Sequence, residues 1–425
     1  MHVRLSESGK TENFERIGEK SRISVTAVFS KLINGIPVTT MFSRFKSSPT
    51  VPHNSIESNP ITLHFEIGKQ SACAGPECIW KIHDAYRKSD GKECSVFLFE
   101  KKNAEKLHKP KRKGSVIELL KTSIKQLERF KHPKILQIIH PVEESAETLA
   151  FAAEPIIACL ANVLTYQEAE SNSSLVLNTQ NTESQQSTTQ SASNLQKGFF
   201  MKEYNFLDIE IKYGILQITE ALSYLHYSGH VVHRNVCPSS ILITNKGTWK
   251  LGGLEFIEKL NETDIGISID CPPWSSRISK MMQPNLDYLA PEIQLHSTVS
   301  ILSDMYSLGM VICAIFNNGR SLIQANNSTS NYLKQLEMLD TAVYNISTKI
   351  PIPLQEATTR LISKNPTQRP TAQLLQLIKY FNDSAVHALQ FLDVINMKDP
   401  TQKTHFYRTT LRDVLPLIPR VILYK

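Results

Sequence analysis

A chain of 425 residues, 20% charged and 41% hydrophobic, is long enough for one two-lobed domain or several smaller ones and has an ordinary globular composition. Its net charge of +7 permits attraction to acidic lipid or nucleic acid but requires neither. Seven scattered cysteines give no zinc-ribbon or disulfide spacing, the N-terminus lacks an apolar signal core, and the longest apolar stretch, Leu308 to Phe316, falls far short of a membrane helix. A reducing, cytoplasmic setting with peripheral membrane contact at most is expected.

Residues 1–60 read as a polar extension. Within it Val25, Val28, Phe29 and Leu32 recur at helical spacing before Gly35. That predicts a helix packed on the main domain or, on a sharper reading, one lying on a membrane or partner. Ser43 to Pro60 reads as a loop. Over 61–165, the strings ITLHFEIG, CIWKIHDAYRK and SVFLF predict strands by their β-branched and aromatic content. Ser115 to Phe130 predicts a helix with Ile117, Leu120, Ile124 and Leu127 on one face.

The basic run from Lys101 to Lys113 reads as a solvated loop before that helix. Its sharper reading is a contact for anionic lipid headgroups or acidic partners. It lacks interleaved aromatics, and no groove-reading fold accompanies it, so nucleic acid is not expected as a partner. Residues 166–203 form a Ser/Gln/Asn-rich insert with too little apolar surface to offset the entropy of ordering, and predict disorder. From 204 to 385 the reading turns helical. Ile211, Ile215, Ile218, Leu222 and Leu225 share a face, ILITNKGTWKL predicts a hairpin, and MYSLGMVICAIF, apolar all round, predicts a buried central helix. Residues 386–425 read as a helical extension.

Short motifs then appear in a fixed order: His233-Arg234-Asn235, Leu289-Ala-Pro-Glu292, Ser303-Asp304-Met-Tyr-Ser-Leu-Gly309 and Asn365-Pro-Thr-Gln-Arg369-Pro370. Each is weak alone. In this order and at these separations they resemble a protein kinase across roughly 63–382. The resemblance implies an α+β, bilobal fold with a β-rich small lobe and a helical large lobe. It implies a buried Glu292–Arg369 ion pair and an Asp304 carboxylate that accepts backbone N–H groups near His233 and Arg234.

The positions that perform phosphoryl transfer are altered. This chemistry needs a glycine-rich lid, a lysine on the phosphates, metal-binding side chains and a catalytic Asp. The lid reads Ser71-Ala-Cys-Ala-Gly75-Pro-Glu77-Cys78: its three glycine positions fall on Ala72, Ala74 and Glu77, where Glu77 would repel phosphate, and Gly75 between them reads as an ordinary hairpin turn. Phe97 stands at the lysine position and Ser123 at its glutamate partner. Asn235 replaces the catalytic Asp, and a neutral amide is a far poorer base. Cys237 and Ser240 replace the loop lysine and the metal-binding asparagine, and Gly253 replaces the metal-binding Asp. Glu255, two residues on, reads as a hinge carboxylate or a relocated metal ligand. On the purine side, Ala153 leaves a roomy gatekeeper position. The carbonyl of Glu154 and the N–H of Ile156 are the expected adenine contacts. Weak ATP binding without magnesium is the expectation, and no metal site.

Further strings are more distinctive: Ile79-Trp80-Lys81-Ile82, Val96-Phe97-Leu98-Phe99-Glu100-Lys101-Lys102, Leu160-Ala161-Asn162-Val163-Leu164 and Trp249-Lys250-Leu251-Gly252-Gly253. With the tail Asp413 to Val421, they closely resemble the Scy-like pseudokinases, in their coated-vesicle-associated branch. That resemblance implies a scaffold in clathrin-dependent traffic, with clathrin and adaptor complexes as partners. Peripheral residence on Golgi, endosomal and coated-vesicle membranes is implied too. It also implies that 386–425 is the truncated start of helical HEAT-like repeats. The competing expectation is a weak or atypical Ser/Thr kinase.

Overall fold

A computed structural model describes residues 56–107, 113–178, 200–261 and 266–417, without side-chain detail at 105–107, 113–115, 173–178 and 417. The amphipathic patch at Val25 to Leu32 lies outside these residues, as do 108–112 and 179–199.

Five antiparallel strands build the small lobe: β1 (Phe65–Ala74), β2 (Trp80–Arg87), β3 (Glu93–Glu100), β4 (Ile138–Glu144) and β5 (Thr148–Ala153). Their spatial order is β1-β2-β3-β5-β4. Side chains alternate across β3. Cys94, Val96 and Leu98 join Ile61, Phe65, Ala85, Ala150 and Ala152 in an outer core. Phe97 and Phe99 face the other way, against Phe151 and Trp80. Because both faces are covered, β3 is buried along nearly its whole length.

The outer core is closed by the segment preceding β1. A short helix, α1 (Ile61–His64), stands where ITLH predicted the start of a strand. Asn59 imposes the turn. Its Oδ1 accepts the Ile61 N–H at 3.0 Å, and its Nδ2 donates to Thr148 Oγ1 at 2.9 Å and to the Glu143 carbonyl at 3.3 Å. Ile56 packs on the same core, so the lobe begins inside the stretch read as a loop.

After β3 come α2 (Lys101–Leu107) and α3 (Lys113–Arg129). The predicted face of α3 is buried at Ile117, Leu120, Ile124 and Leu127. Lys101 departs from the solvated-loop reading. It continues directly from β3, is buried, and donates to Glu144 and to the Ser145 carbonyl, both at 2.6 Å.

The chain then crosses to the large lobe through β6 (Ile156–Cys159) and α4 (Leu160–Asn178). Here the disorder expected from residue 166 is corrected, since the helix runs on to Asn178. Glu168 meets Arg320 at 3.4 Å and the Ser171 hydroxyl returns to the Gln167 carbonyl at 2.9 Å, holding residues that composition alone reads as unstructured. Next, α5 (Asp208–Tyr227) buries Ile211, Ile215, Ile218, Leu222 and Leu225. A short β7 (Val231–Val232) precedes the predicted hairpin, β8 (Ile241–Thr244) and β9 (Trp249–Leu251), which pairs with β6. The turn helix α6 (Pro291–His296) leads to α7 (Ile301–Phe316), the buried central helix. Helices α8 (Thr329–Glu337), α9 (Leu339–Ser347) and α10 (Ile352–Leu361) follow. The extension forms α11 (Ser384–Asp393) and α12 (Pro400–His405) and stays in helical turns to Leu417. Tyr213 and Asp393 tie α11 to α5 at 2.6 Å. The α+β, two-lobed architecture is as expected. No helix among the described residues is long and apolar enough to cross a membrane.

Candidate functional site

The cleft between the lobes is where a nucleotide would sit, and each of its walls is built from the residues that replaced the phosphotransfer groups. The lid turn folds inward. Gly75, at φ 77°, donates its N–H to the Ser239 carbonyl of the large lobe at 3.0 Å. A Cβ there would lie 2.7 Å from the Trp80 ring, so the turn and the buried indole require glycine. Glu77 and Cys78 also have positive φ, and the Glu77 carboxylate is ion-paired with Lys280. The side chain that would repel phosphate instead fastens the lid.

Behind the lid lies an aromatic wall. Phe97 stacks on Phe151 at 4.6 Å between ring centroids, and Trp80 meets Phe151 edge-on at 5.1 Å. What remains among Trp80, Phe97, Ser123, Phe151, Ser240 and Glu255 is a cavity of about 20 Å³. That is room for about one water molecule, where a small-molecule site needs roughly 300 Å³ or more.

The metal positions are filled in the same way. Gly253 adopts φ 70°, and a Cβ on it would stand 2.9 Å from Ser240 Cβ and 3.3 Å from Glu255 Oε2. Ser240 itself is engaged, donating to the Cys237 carbonyl at 2.9 Å and accepting the Cys237 N–H at 3.1 Å. Glu255 is buried beside Ser123. Burial pushes its carboxyl up to about 7, while its own backbone N–H and the Ser123 hydroxyl pull the other way. Its Oε2 has no hydrogen-bond partner among the described residues. A buried carboxyl biased toward its neutral form is a poor magnesium ligand. Lys81, on β2, is held by Glu100 at 2.9 Å.

On the purine side the structure corrects one expectation. The Ile156 N–H is not available to a base, because Ser95 Oγ accepts it at 2.9 Å. Ser95 lies on β3 opposite Ala153, inside the space read as roomy. The Glu154 side chain takes the Gln137 N–H at 2.9 Å and meets Lys250 at 3.0 Å.

Asn162, at the start of α4, makes four side-chain contacts. Its Oδ1 accepts N–H groups from Cys73 and Cys159, and its Nδ2 donates to Cys73 Sγ at 3.0 Å and to the Phe200 carbonyl at 2.9 Å. One amide thus clamps the lid strand, the hinge and the far end of the insert. Only an amide, donor and acceptor at once, fills all four contacts. Cys73, Cys78 and Cys159 gather beside it, and hydrogen bonds from Cys159 and Cys78 hold the Cys73 thiol below its ordinary range.

The large-lobe frame is intact. Asp304 accepts the N–H groups of His233 at 2.7 Å and Arg234 at 2.8 Å, and contacts His226 Nε2 at 2.9 Å. His233 Nε2 donates to the Gly252 carbonyl at 2.8 Å, and burial pushes this imidazole down toward the neutral form. Arg234 pairs with Glu258 at 2.5 Å. Asn235 has a new task, for its Oδ1 accepts the Asn285 N–H at 2.9 Å and so pins the following segment. Glu292 and Arg369 form a two-point pair at 2.7 and 2.9 Å, with the Ser303 hydroxyl on Glu292 at 2.7 Å.

Residues 81–381 match the protein kinase domain family. SCY1-like protein 2 of Homo sapiens is 34% identical over 390 residues, which cover 90% of this chain and 39% of that protein. Protein kinase-like protein SCY1 of Saccharomyces cerevisiae is 26% identical over 369 residues, 81% of this chain and 42% of that protein. A Dictyostelium discoideum protein named "Probable inactive serine/threonine-protein kinase scy1" is 25% identical over 337 residues, 78% of this chain and 32% of that protein. The chain therefore spans less than half the length of these relatives. With the motifs, the two lobes and these matches in agreement, the chain belongs to the protein kinase domain family, as a SCY1-like member.

Proposed function

We propose that this chain is a catalytically impaired, kinase-like scaffold serving clathrin-dependent vesicle traffic among Golgi, endosomes and plasma membrane. The observation that carries the non-catalytic part is the closed cleft, in which aromatic rings and a lid-to-loop hydrogen bond occupy the place of the triphosphate. Phosphoryl transfer is chiefly positioning and charge stabilisation, and this cavity is lined by no cationic phosphate anchor and by a single carboxyl, Glu255, whose burial favours the neutral form. ATP binding is accordingly at most weak and independent of magnesium. The trafficking part rests on the resemblance to coated-vesicle-associated Scy-like pseudokinases. It brings clathrin and adaptor complexes as partners and a cytoplasmic location peripheral to those membranes.

The test titrates the purified chain with ATP, ADP and adenosine, with and without Mg²⁺, beside a kinase assay on wild type and Glu255→Ala. Equally weak affinity for all three ligands, untouched by metal or mutation, supports the scaffold. Tight Mg²⁺-dependent ATP binding with activity lost in the variant replaces it with an atypical Ser/Thr kinase. Recovery of clathrin adaptors with the tagged chain from a coated-vesicle fraction tests the trafficking part separately.

A further inference from the structure

On the outer side of the small lobe, away from the cleft, two histidines and a glutamate converge. His64 ends α1, while His140 and Glu143 lie on β4. In a regular strand, residues three apart face opposite sides of the sheet. Here β4 is irregular: His140 pairs with Ala152 and Glu143 with Ala150, so three steps on β4 match two on β5. The extra residue turns Glu143 to the side of His140. One nitrogen or oxygen from each of the three side chains lies within 4.8 Å of the other two. His140 Nε2 and Glu143 Oε1 are 3.0 Å apart, and the two imidazole centroids 4.6 Å.

We propose that His64, His140 and Glu143 form a binding site for a divalent transition-metal ion, zinc foremost. Tetrahedral zinc with bonds of about 2.0–2.1 Å sets its donor atoms roughly 3.3 Å apart. The His140–Glu143 pair already has nearly that separation, so the ion replaces one hydrogen bond without moving the strand. His64 is exposed and completes the set by a side-chain rotation. Two imidazoles with one carboxylate suit zinc better than magnesium or calcium, which favour oxygen alone. Three protein donors leave the fourth position to water.

The surroundings hold the donors in place. Phe65 packs edge-on against the His140 ring at 5.5 Å, and Asn59 binds the Glu143 carbonyl. Two cations line the adjoining cavity of about 480 Å³, and both are engaged elsewhere. Lys88 donates to the Thr62 carbonyl at 2.6 Å, and Arg87 faces Asp90 at 3.5 Å. A bound ion would join the crossing segment before β1 to the edge strand β4.

The experiment uses the full chain after chelator treatment. Zn²⁺ is titrated by calorimetry and Co²⁺ by absorption, because the cysteines are rival ligands that cobalt distinguishes. The expected result is one ion bound with visible cobalt bands and no thiolate charge-transfer band. Binding should weaken about 100-fold or more in His140→Ala and in His64→Ala. Zinc should raise the thermal midpoint of wild type and not of the variants. His64→Ala removes an exposed side chain, so its metal-free midpoint stays at the wild-type value and lost binding is not lost folding. Absence of binding, equal affinity in the variants, or a thiolate band abolished by cysteine alkylation overturns the proposal.

Discussion

The large-lobe floor of the cleft has lost its catalytic charges, at Asn235, Cys237 and Gly253, but keeps the charges that hold the fold and matches each one: Asp304 to two backbone N–H groups, Glu292 to Arg369, Arg234 to Glu258. The small-lobe roof and the lid have exchanged charge for aromatic packing, with Phe97, Trp80 and Phe151 in contact where phosphate groups would lie. The difference teaches that holding the fold and performing the chemistry are separable. A buried pair cannot lose one member without stranding the other. A phosphate anchor, a metal ligand and a catalytic base can be lost together, provided the space they leave is filled.

Four substitutions probe this contrast, in falling order of effect. Arg369→Ala strands the buried Glu292 carboxylate and should cost about 3–5 kcal/mol in urea unfolding. A cost under about 1 kcal/mol would mean that the floor is not charge-locked. Glu255→Gln removes the one titrating group of the roof-side cavity. Its folded value, about 7, stands above the ordinary 4.5, so the folded state holds the extra proton between those values. Wild-type stability therefore falls as pH rises through that window. The variant should gain up to roughly 3 kcal/mol at about pH 8 and nothing below about pH 4.5. A gain that is the same at both pH values would break this reading.

Ser95→Ala leaves the Ile156 N–H without its acceptor and should cost about 1–2 kcal/mol. If adenosine affinity rises in this variant, the hydroxyl is the plug of the purine side. Lys280→Ala cuts an ion pair whose lysine is more than a third exposed, so screening limits its effect to under about 1 kcal/mol. Its readout is faster hydrogen exchange at the Gly75 amide. Unchanged exchange there would show the lid to be held by Asn162 and the Ser239 carbonyl alone.

Much of the floor was legible in the chain because its signals are local strings: His233-Arg234-Asn235 and Asn365 to Pro370 announce their roles within a few residues of themselves. Phe97, Asn235 and Gly253 were legible as substitutions for the same reason. Closure of the cleft was not. It depends on Gly75 meeting Ser239, on Glu77 meeting Lys280 and on Ser95 reaching Ile156, pairs far apart in sequence with no motif to join them. The Ile156 N–H looked available because no local pattern reveals a hydroxyl arriving from β3. The start of the insert was misread because Ser and Gln content says little about a helix already nucleated at Leu160 and braced by Arg320. Glu143 would have been placed opposite His140 by strand periodicity. Only the bulge brings them together.

The Asn59–Thr148 hydrogen bond carries a consequence for synthesis. Its partners are 89 positions apart, and Ile61 and Phe65 share their core with Ala150 and Ala152 on the same late strand. On a ribosome adding about 5–20 residues each second, the first of these segments is made roughly 5–18 seconds before the last. Until that interval ends its apolar side chains lack the cover that Ala150 and Ala152 of β5 supply. The small lobe is thus a unit of high contact order, slow to close and exposed while it waits. A nascent chain halted just before Thr148 should recruit holding chaperones, and one halted after Ala153 has cleared the exit tunnel should release them.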